Sequence, residues 1–337
     1  MSRAGRMACI LGCSGPTLTE AERRFFRKVD PFGFILFARN IENPAQVLAL
    51  TSDLRNAVGR DAPVFTDQEG GRVQRLRAPF WREWQPPLQA VQQAGARAER
   101  LLWLRYRLIA EELRAVGIDG NCAPVADVLS PTTHPFLANR CLSDDPAEVA
   151  RLARTTAEAL LAGGVLPVIK HLPGHGRAAA DTHHDLPTVA TDPATLDGSD
   201  FAAFRPLADL PLAMTAHVVF SAWDDRPATC SPAMIEVIRS TIGFQGLLMS
   251  DDLSMQALSG SIDTRAAQAI AAGCDIALHC NGDLAEMEAV AAAAGALTPA
   301  ARARAEAALA ARVPPAPVDI AALAADHEAL SRGHLDG

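Results

Sequence analysis

The side chains in this sequence with the chemistry to make or break a bond collect at the ends of short apolar runs. Pro63–Thr66 is followed by Asp67-Gln68-Glu69-Gly70-Gly71-Arg72, Leu166–Ile169 by Lys170-His171, and Leu212–Thr215 by Ala216-His217. Gly246–Met249 is followed by Ser250-Asp251-Asp252, and Asp275–His279 by Cys280-Asn281. A charged group directly after a buried run costs free energy unless it is paired or put to use. One such Asp alone reads equally well as a helix cap or a strand-end ion pair. Five polar ends brought to one rim read as a site, where a carboxylate can act as nucleophile or as counter-charge to a developing cation.

The longest irregular stretch supplies a second kind of chemistry. It runs from Leu172-Pro173-Gly174-His175-Gly176-Arg177 to Asp181-Thr182-His183-His184-Asp185-Leu186-Pro187 and holds three of the nine histidines. Structureless loops longer than ~12–15 residues in a compact domain are usually lids or binding loops. Asp181 and His183 are two apart, so a turn can bring the carboxylate to the imidazole. A carboxylate on one ring nitrogen leaves the other to exchange protons, the logic of a general acid/base pair. His175 and His184 read as loop-packing residues bonded to backbone.

These groups need elements to hold them. Strand-length apolar runs at Ala8–Gly12, Phe34–Phe37, Pro63–Thr66, Ile118–Cys122, Leu166–Ile169, Leu212–Thr215, Gly246–Met249 and Asp275–His279 alternate with amphipathic stretches. Their shortness and apolarity suit strands buried on both faces. Helix starts are marked by a capping box, Thr19 with Glu22, and by Asn43-Pro44 with Gln46 and Asp145-Pro146 with Glu148. Gly163-Gly164 is a left-handed stop. Eight βα units predict an α/β fold, a (β/α)8 TIM-type barrel. A doubly wound sheet is the alternative, but no GxGxxG turn follows the first strand. One catalytic domain is expected over 1–337, with a core of about 8–312 and a tail, 313–337, that crosses back into a helix at Ile320–Leu330.

Composition narrows the function. The formal charge of −8 lacks the basic face that nucleic acid demands. The seven cysteines form no CxxC pair and read as reduced thiols of a cytoplasmic protein. Arg3 and Arg6 before Ile10-Leu11-Gly12-Cys13 superficially suggest a lipoprotein signal. The apolar stretch Met7–Leu11 is shorter than the ~7–15 residues of such a signal core, so the segment is read as the first strand. No run of ~18 apolar residues exists to span a membrane.

The ordered motifs resemble those of family 3 glycoside hydrolases, in particular the bacterial β-N-acetylglucosaminidases of peptidoglycan recycling. Lys170-His171-Leu172-Pro173-Gly174-His175-Gly176 followed by Asp181-Thr182-His183 is similar to the family's KH(F)PGHG…D(S/T)H signature. Further matches are Ala38-Arg39-Asn40-Ile41, Asp67–Arg75, Ala123–Val128, Asn139-Arg140, Met214–His217, Ser250–Met255 and Ala272–Asp275. The resemblance implies Asp251 as nucleophile, His183 as acid/base with Asp181 as its partner, and sugar contacts from Asp67, Arg75, Arg140, Lys170 and His171. It implies an exo-acting, retaining β-N-acetylhexosaminidase that needs no cofactor or metal and acts on muropeptide fragments. The expected partner is thus a small carbohydrate, with neither nucleic acid nor membrane. Cys141-Leu142 and Leu172 depart from the family's pattern, which leaves fine specificity open. Asp252 is a second nucleophile candidate, although successive residues at a strand end point in opposite directions. Three other readings remain: a metal-dependent hydrolase using His171, His175, His183, His184, Asp181, Asp185 or His217; a phosphorylase of the same family; and a non-catalytic sugar-binding protein.

Overall fold

The computed structural model describes residues 4–180 and 185–332. Each of the eight apolar runs contributes a parallel strand: β1 Met7–Leu11, β2 Pro31–Leu36, β3 Val64–Thr66, β4 Gly120–Asn121, β5 Leu166–Leu172, β6 Leu212–Thr215, β7 Leu247–Met249 and β8 Ala277–His279. They pair in chain order from β1 to β7, and β8 returns to β1 with Cys9 opposite Ala277 and Leu11 opposite His279. A parallel bridge between Met249 and Ile276 joins β7 to β8 and closes the ring. Pairing of the first strand with the last makes this a (β/α)8 barrel and excludes the open sheet. Every residue of β2, β5 and β6 is buried, as strands covered on both faces must be.

The helices start where their caps place them. Thr19 and Glu22 form the reciprocal capping box, and the Asn43 side chain accepts from the Gln46 N–H at 3.0 Å. Asp145 caps the next helix as expected, accepting from Ala147 N at 2.9 Å with Pro146 at N1. Glu148 departs from expectation: it takes the Ser143 hydroxyl at 2.7 Å instead of the Asp145 N–H and so ties the helix to the segment before it. The left-handed stop is Gly164, at φ +73°, and Gly163 keeps a negative φ. Beyond Arg312 the chain crosses under the barrel, where Ala316 N bonds Ala162 O at 2.9 Å. It then forms the helix Ile320–Ser331 against the helix Ala98–Ala115. The short helix Pro135–Ala138 starts on an N1 proline but has no Ser, Thr, Asp or Asn directly before it, and the π-helical turn Val237–Ile242 has no sequence signal of the kinds used above.

The N-terminal ends of the strands carry ion pairs that hold the ring together. Asp275, just before β8, accepts from Arg304 at 2.6 and 2.9 Å, from Arg239 at 2.8 Å and from the Leu248 N–H of β7 at 3.0 Å. At the same end a cavity of about 830 Å³ is walled partly by Arg55, Asp61, Asp119 and Arg312, which neutralise one another. In barrels of this kind the N-terminal face serves stability. Breaking a buried ion pair from one side leaves uncompensated charge. Asp275→Ala is therefore expected to cost about 3 kcal/mol in denaturant unfolding, while the folded fraction keeps the wild-type kcat.

Candidate active site

At the opposite, C-terminal ends of the strands lies a cavity of about 190 Å³. Of the eight residues singled out above, the cavity wall includes Asp67, Arg75, Arg140, Lys170, His171 and Asp251. Asp181 and His183, like His184, lie outside the described residues. The helix Pro135–Ala138 brings Phe136 to the rim, where the Arg72 guanidinium stacks on its ring at 3.3 Å. Asn281 does not join the wall. It belongs to the next helix start, where it bonds Glu286 and accepts from Asp283 N at 2.8 Å.

One side of the cavity is a buried network of charges. Lys170, 2 % exposed, reaches Asp67 at 2.9 Å and Glu69 at 2.6 Å. Glu69, 1 % exposed, takes Arg140 in a two-pronged bond with both contacts at 2.8 Å, and Asp67 takes Arg75 at 2.9 Å. Burial alone would raise both carboxyls, but the facing cations outweigh it. Asp67 ends far below the ordinary carboxylate range and Glu69 at about 2. The same pairing raises Lys170 and Arg140 against the pull of burial. All four groups are charged at neutral pH.

Local backbone geometry makes this network possible. After β3 the chain turns through the antiparallel pair Gln68–Gly70 and Val73–Gln74, held by Gln68 accepting from Arg75 N and Leu76 N at 2.9 and 3.0 Å. Gly70 sits at φ +113°, and a Cβ there would lie 1.8 Å from Arg105 Nη2, which bonds the Glu69 carbonyl. Only glycine fits. On β5 the register against β6 shifts between Ile169 and Leu172. Such an irregularity breaks strict alternation, and the successive residues Lys170 and His171 both line the cavity.

Histidines line the second side. His171 Nδ1 meets Asp127 at 2.7 Å, and the His171 and His175 N–H groups reach the same carboxylate at 3.2 and 2.8 Å. A carboxylate held below its ordinary range only accepts, so Nδ1 carries the proton and Nε2 faces Arg140 at 3.5 Å. The expectation that His175 merely packs in the loop needs correcting. It lines the cavity, its Nδ1 finds no partner among the described residues, and burial with the neighbouring His171 and Arg140 lowers it to about 4. Of the suggested metal ligands, His171 and His217 already spend ring nitrogens on protein partners. Among the described residues no three His, Cys, Asp or Glu side chains stand close enough to share an ion.

Asp251 and Asp252 differ in a way the strand alternation did not capture. Both touch the cavity. The Asp252 carboxylate is occupied by Ser254 N and Oγ at 3.1 and 2.6 Å and by Cys280 N at 3.2 Å. The Asp251 carboxylate accepts the Asp252 N–H at 2.8 Å. Burial pushes Asp251 up, but His217, His171, that N–H and Lys170 together hold it below the ordinary carboxyl value. The departures from the family pattern lie behind the site. Cys141, Leu142 and Leu172 are buried and none lines the cavity.

The loop after β5 is anchored before it reaches residue 181. Ser130 Oγ and Thr133 Oγ1 both bond Gly176 O, and His134 N bonds Ala178 O at 3.1 Å. A Cβ on Gly176 would fall 1.8 Å from Val128 O. Glu69, Asp127, His175 and His217 are the residues whose roles the sequence did not reveal. Glu69 and Asp127 stood in motifs already marked, and their position after apolar runs was the available signal.

A barrel with carboxylates, cations and imidazoles gathered at its C-terminal rim defines an enzyme-type site. The chain matches the Glycosyl hydrolase family 3 N terminal domain over residues 16–313. It belongs to glycosyl hydrolase family 3 and is a glycoside hydrolase acting on O-glycosyl bonds. It is 38% identical over 281 residues to a beta-hexosaminidase of Bordetella avium, covering 81% of this chain and 80% of that protein. A beta-hexosaminidase of Pseudomonas aeruginosa is 39% identical over 279 residues, covering 81% and 82%. The structure of NagZ from Neisseria gonorrhoeae in complex with N-trifluoroacetyl-D-glucosamine is similar, with a TM-score of 0.81 and 29% identity over 99% of this chain and 98% of that one. A family 3 beta-N-acetylglucosaminidase from Paenibacillus sp. aligns with a TM-score of 0.84 and 28% identity, covering 96% of this chain and 67% of that one.

The ionisation pattern sets the response to acid. His175 and His327 are lowered to about 4, and His217 and His279 are also lowered, in each case chiefly by burial. A histidine held neutral in the fold stabilises it fully above its ordinary value of about 6.5. That contribution is lost as pH falls towards the folded value. The depressed Glu69 contributes fully above about 4.5 and loses that contribution as pH falls to about 2. Tm is thus expected to decline in two stages, from about pH 6.5 to 4 and again below about 4.5. His175→Gln should flatten the first and Glu69→Gln the second. A Tm that holds constant from pH 7 to 5 would contradict the neutral histidines.

Proposed function

We propose that this chain is an exo-acting, retaining β-N-acetylhexosaminidase that releases N-acetylglucosamine from the non-reducing end of muropeptide fragments, in peptidoglycan recycling. The observation that carries the reading is Asp251, an ionised carboxylate at the wall of a sugar-sized cavity that hydrogen-bonding cations also line. At about 190 Å³ the cavity is smaller than the roughly 300–1,000 Å³ of drug-sized ligand sites. One sugar ring fits, with the aglycone left outside, which suits exo action. The beta-hexosaminidase relatives and the NagZ complex with an N-acylglucosamine support the choice of sugar.

In this reading Asp67, Arg75, Arg140, Lys170 and His171 hold the hydroxyls and the acetamide. Asp251 attacks C1 as the bond to the leaving oxygen breaks, and His183, oriented by Asp181, gives that oxygen its proton. The oxocarbenium-like charge of the transition state lies against the Asp251 anion, and the product is a glycosyl ester. His183 then takes a proton from water, whose oxygen attacks C1 and releases Asp251. An imidazole on the loop after β5, in place of a fixed carboxylic acid, lets the acid arrive as the loop closes. No metal takes part. One catalytic barrel spans about 8–312, followed in sequence by the tail 313–337. A cytoplasmic site of action is supported by seven free, buried cysteines and by the lack, among the described residues, of a helix long and apolar enough to cross a membrane.

The test combines turnover with trapping. In saturating EDTA an aryl β-N-acetylglucosaminide should exceed the aryl β-glucoside in kcat/KM. A 5-fluoro N-acetylglucosaminyl fluoride should leave its label on Asp251, and Asp251→Asn should abolish turnover. A better glucoside, loss of activity restored by metal, or label on Asp252 would overturn the reading.

A separate measurement tests the proton donor. His183→Ala should lower kcat/KM by roughly 100-fold or more on substrates with poor leaving groups and far less on dinitrophenyl glycosides, which need little protonation. Asp181→Ala should show the same bias in milder form. Equal losses across leaving groups would remove the dyad from the mechanism.

A further inference from the structure

Close to Asp251 lies a buried histidine that does not itself line the cavity. His217 follows β6 and is 0 % exposed. Its Nε2 lies 3.0 Å from the Asp252 main-chain carbonyl and its Nδ1 2.7 Å from Thr229 Oγ1. A carbonyl oxygen only accepts, so Nε2 carries the proton. In the neutral ring Nδ1 is then an acceptor, and Thr229 must donate to it. Thr229 has a single hydroxyl proton and three candidate acceptors, His217 Nδ1 at 2.7 Å, Thr215 Oγ1 at 2.8 Å and Ala216 O at 3.1 Å; the proton-free Nδ1, at the shortest contact, takes it. Thr215 Oγ1, 2.8 Å from Thr229 Oγ1, donates in turn. A directed chain of donors thus runs from Thr215 through Thr229 and His217 to the Asp252 carbonyl.

Asp252 is the residue at which this chain ends, and it is fixed from three directions. His217 holds its carbonyl, Ser254 and Cys280 hold its carboxylate, and its own N–H is spent on Asp251 Oδ1. The last bond sets where the Asp251 carboxylate stands, and its direction depends on the orientation of the Asp252 main chain. We propose that His217 is a positioning residue for Asp251: as the fixed Nε2–H tautomer it locks the Asp252 main chain, and so aims the Asp251 carboxylate at the reacting carbon. This inference rests on the reading of Asp251 as the nucleophile. Its second part concerns Thr229, which holds the tautomer and touches neither the sugar nor Asp251.

Two measurements test it. In the wild-type protein, ¹⁵N chemical shifts of His217 should report the Nε2-protonated neutral ring from pH 8 to 6. The Nδ1-protonated form, or a ring that is charged at pH 7, would overturn the proposal without any variant having to fold. The second compares His217→Gln with His217→Asn. The Gln amide nitrogen stands about where Nε2 stood and can donate to the Asp252 carbonyl, whereas the Asn amide nitrogen stops at the position of Nδ1. His217→Asn should slow covalent trapping by the 5-fluoro reagent by roughly 100-fold, the scale of loss that misplacement by about 1 Å can cause. Affinity for N-acetylglucosamine itself should stay unchanged. His217→Gln should recover most of the trapping rate. Equal trapping rates in folded His217→Asn and wild type would overturn the inference, as would equal impairment in both variants. Label on a residue other than Asp251 would instead refute the nucleophile assignment, so the two failures are distinguishable.

Discussion

Four charged side chains with little access to bulk water neutralise one another at the rim of this barrel, and much of the surrounding backbone is arranged around that requirement. Lys170 stands between Asp67 and Glu69, and Arg140 completes the set. Removing any one would leave a buried charge without its counterpart, a situation that costs several kcal/mol. The glycine turn after β3, the register shift on β5 and the short helix before Arg140 each bring one partner to the meeting point. A fixed array of this kind also has a chemical use. Donors and acceptors already held in a fixed orientation need little rearrangement when a ligand replaces water.

The same economy appears on the histidine side. Asp127 receives one ring nitrogen and two backbone N–H groups from the segment that opens the long loop. The loop's first turn is therefore part of the rigid site, tied further by Ser130 and Thr133 to Gly176.

The fold was largely legible because a barrel strand is buried on both sides and so must be a short apolar run, which periodicity detects. Strand ends were less so. The fourth run reads as Ile118–Cys122 but pairs only at Gly120-Asn121. In the site, residue types were legible and pairings were not. Lys170 and Asp67 are 103 positions apart, and Asp127 meets its histidines 44 and 48 positions later. No local pattern encodes such distances. Asp251 and Asp252 were separable in principle by strand alternation, yet what distinguishes them is that Ser254 and Cys280 occupy one carboxylate. At the Asp145 cap a neighbour was missed as well: Ser143, two residues before the cap, takes the bonds that Asp145 N and Glu148 would otherwise make with each other.

The seven thiols carry a consequence of their own. All are buried, and burial raises each of them above the ordinary thiol value, so little thiolate exists to react. They are spread around the ring, from Cys9 in β1 through Cys122 just after β4 to Cys274 before β8. Cys280 alone among them borders the cavity at the C-terminal rim. The native molecule thus carries a built-in set of silent chemical clocks: each sulfur starts to react with an alkylating reagent only when its own part of the ring opens. The order in which they are labelled records the route by which the barrel comes apart, with no residue changed to read it.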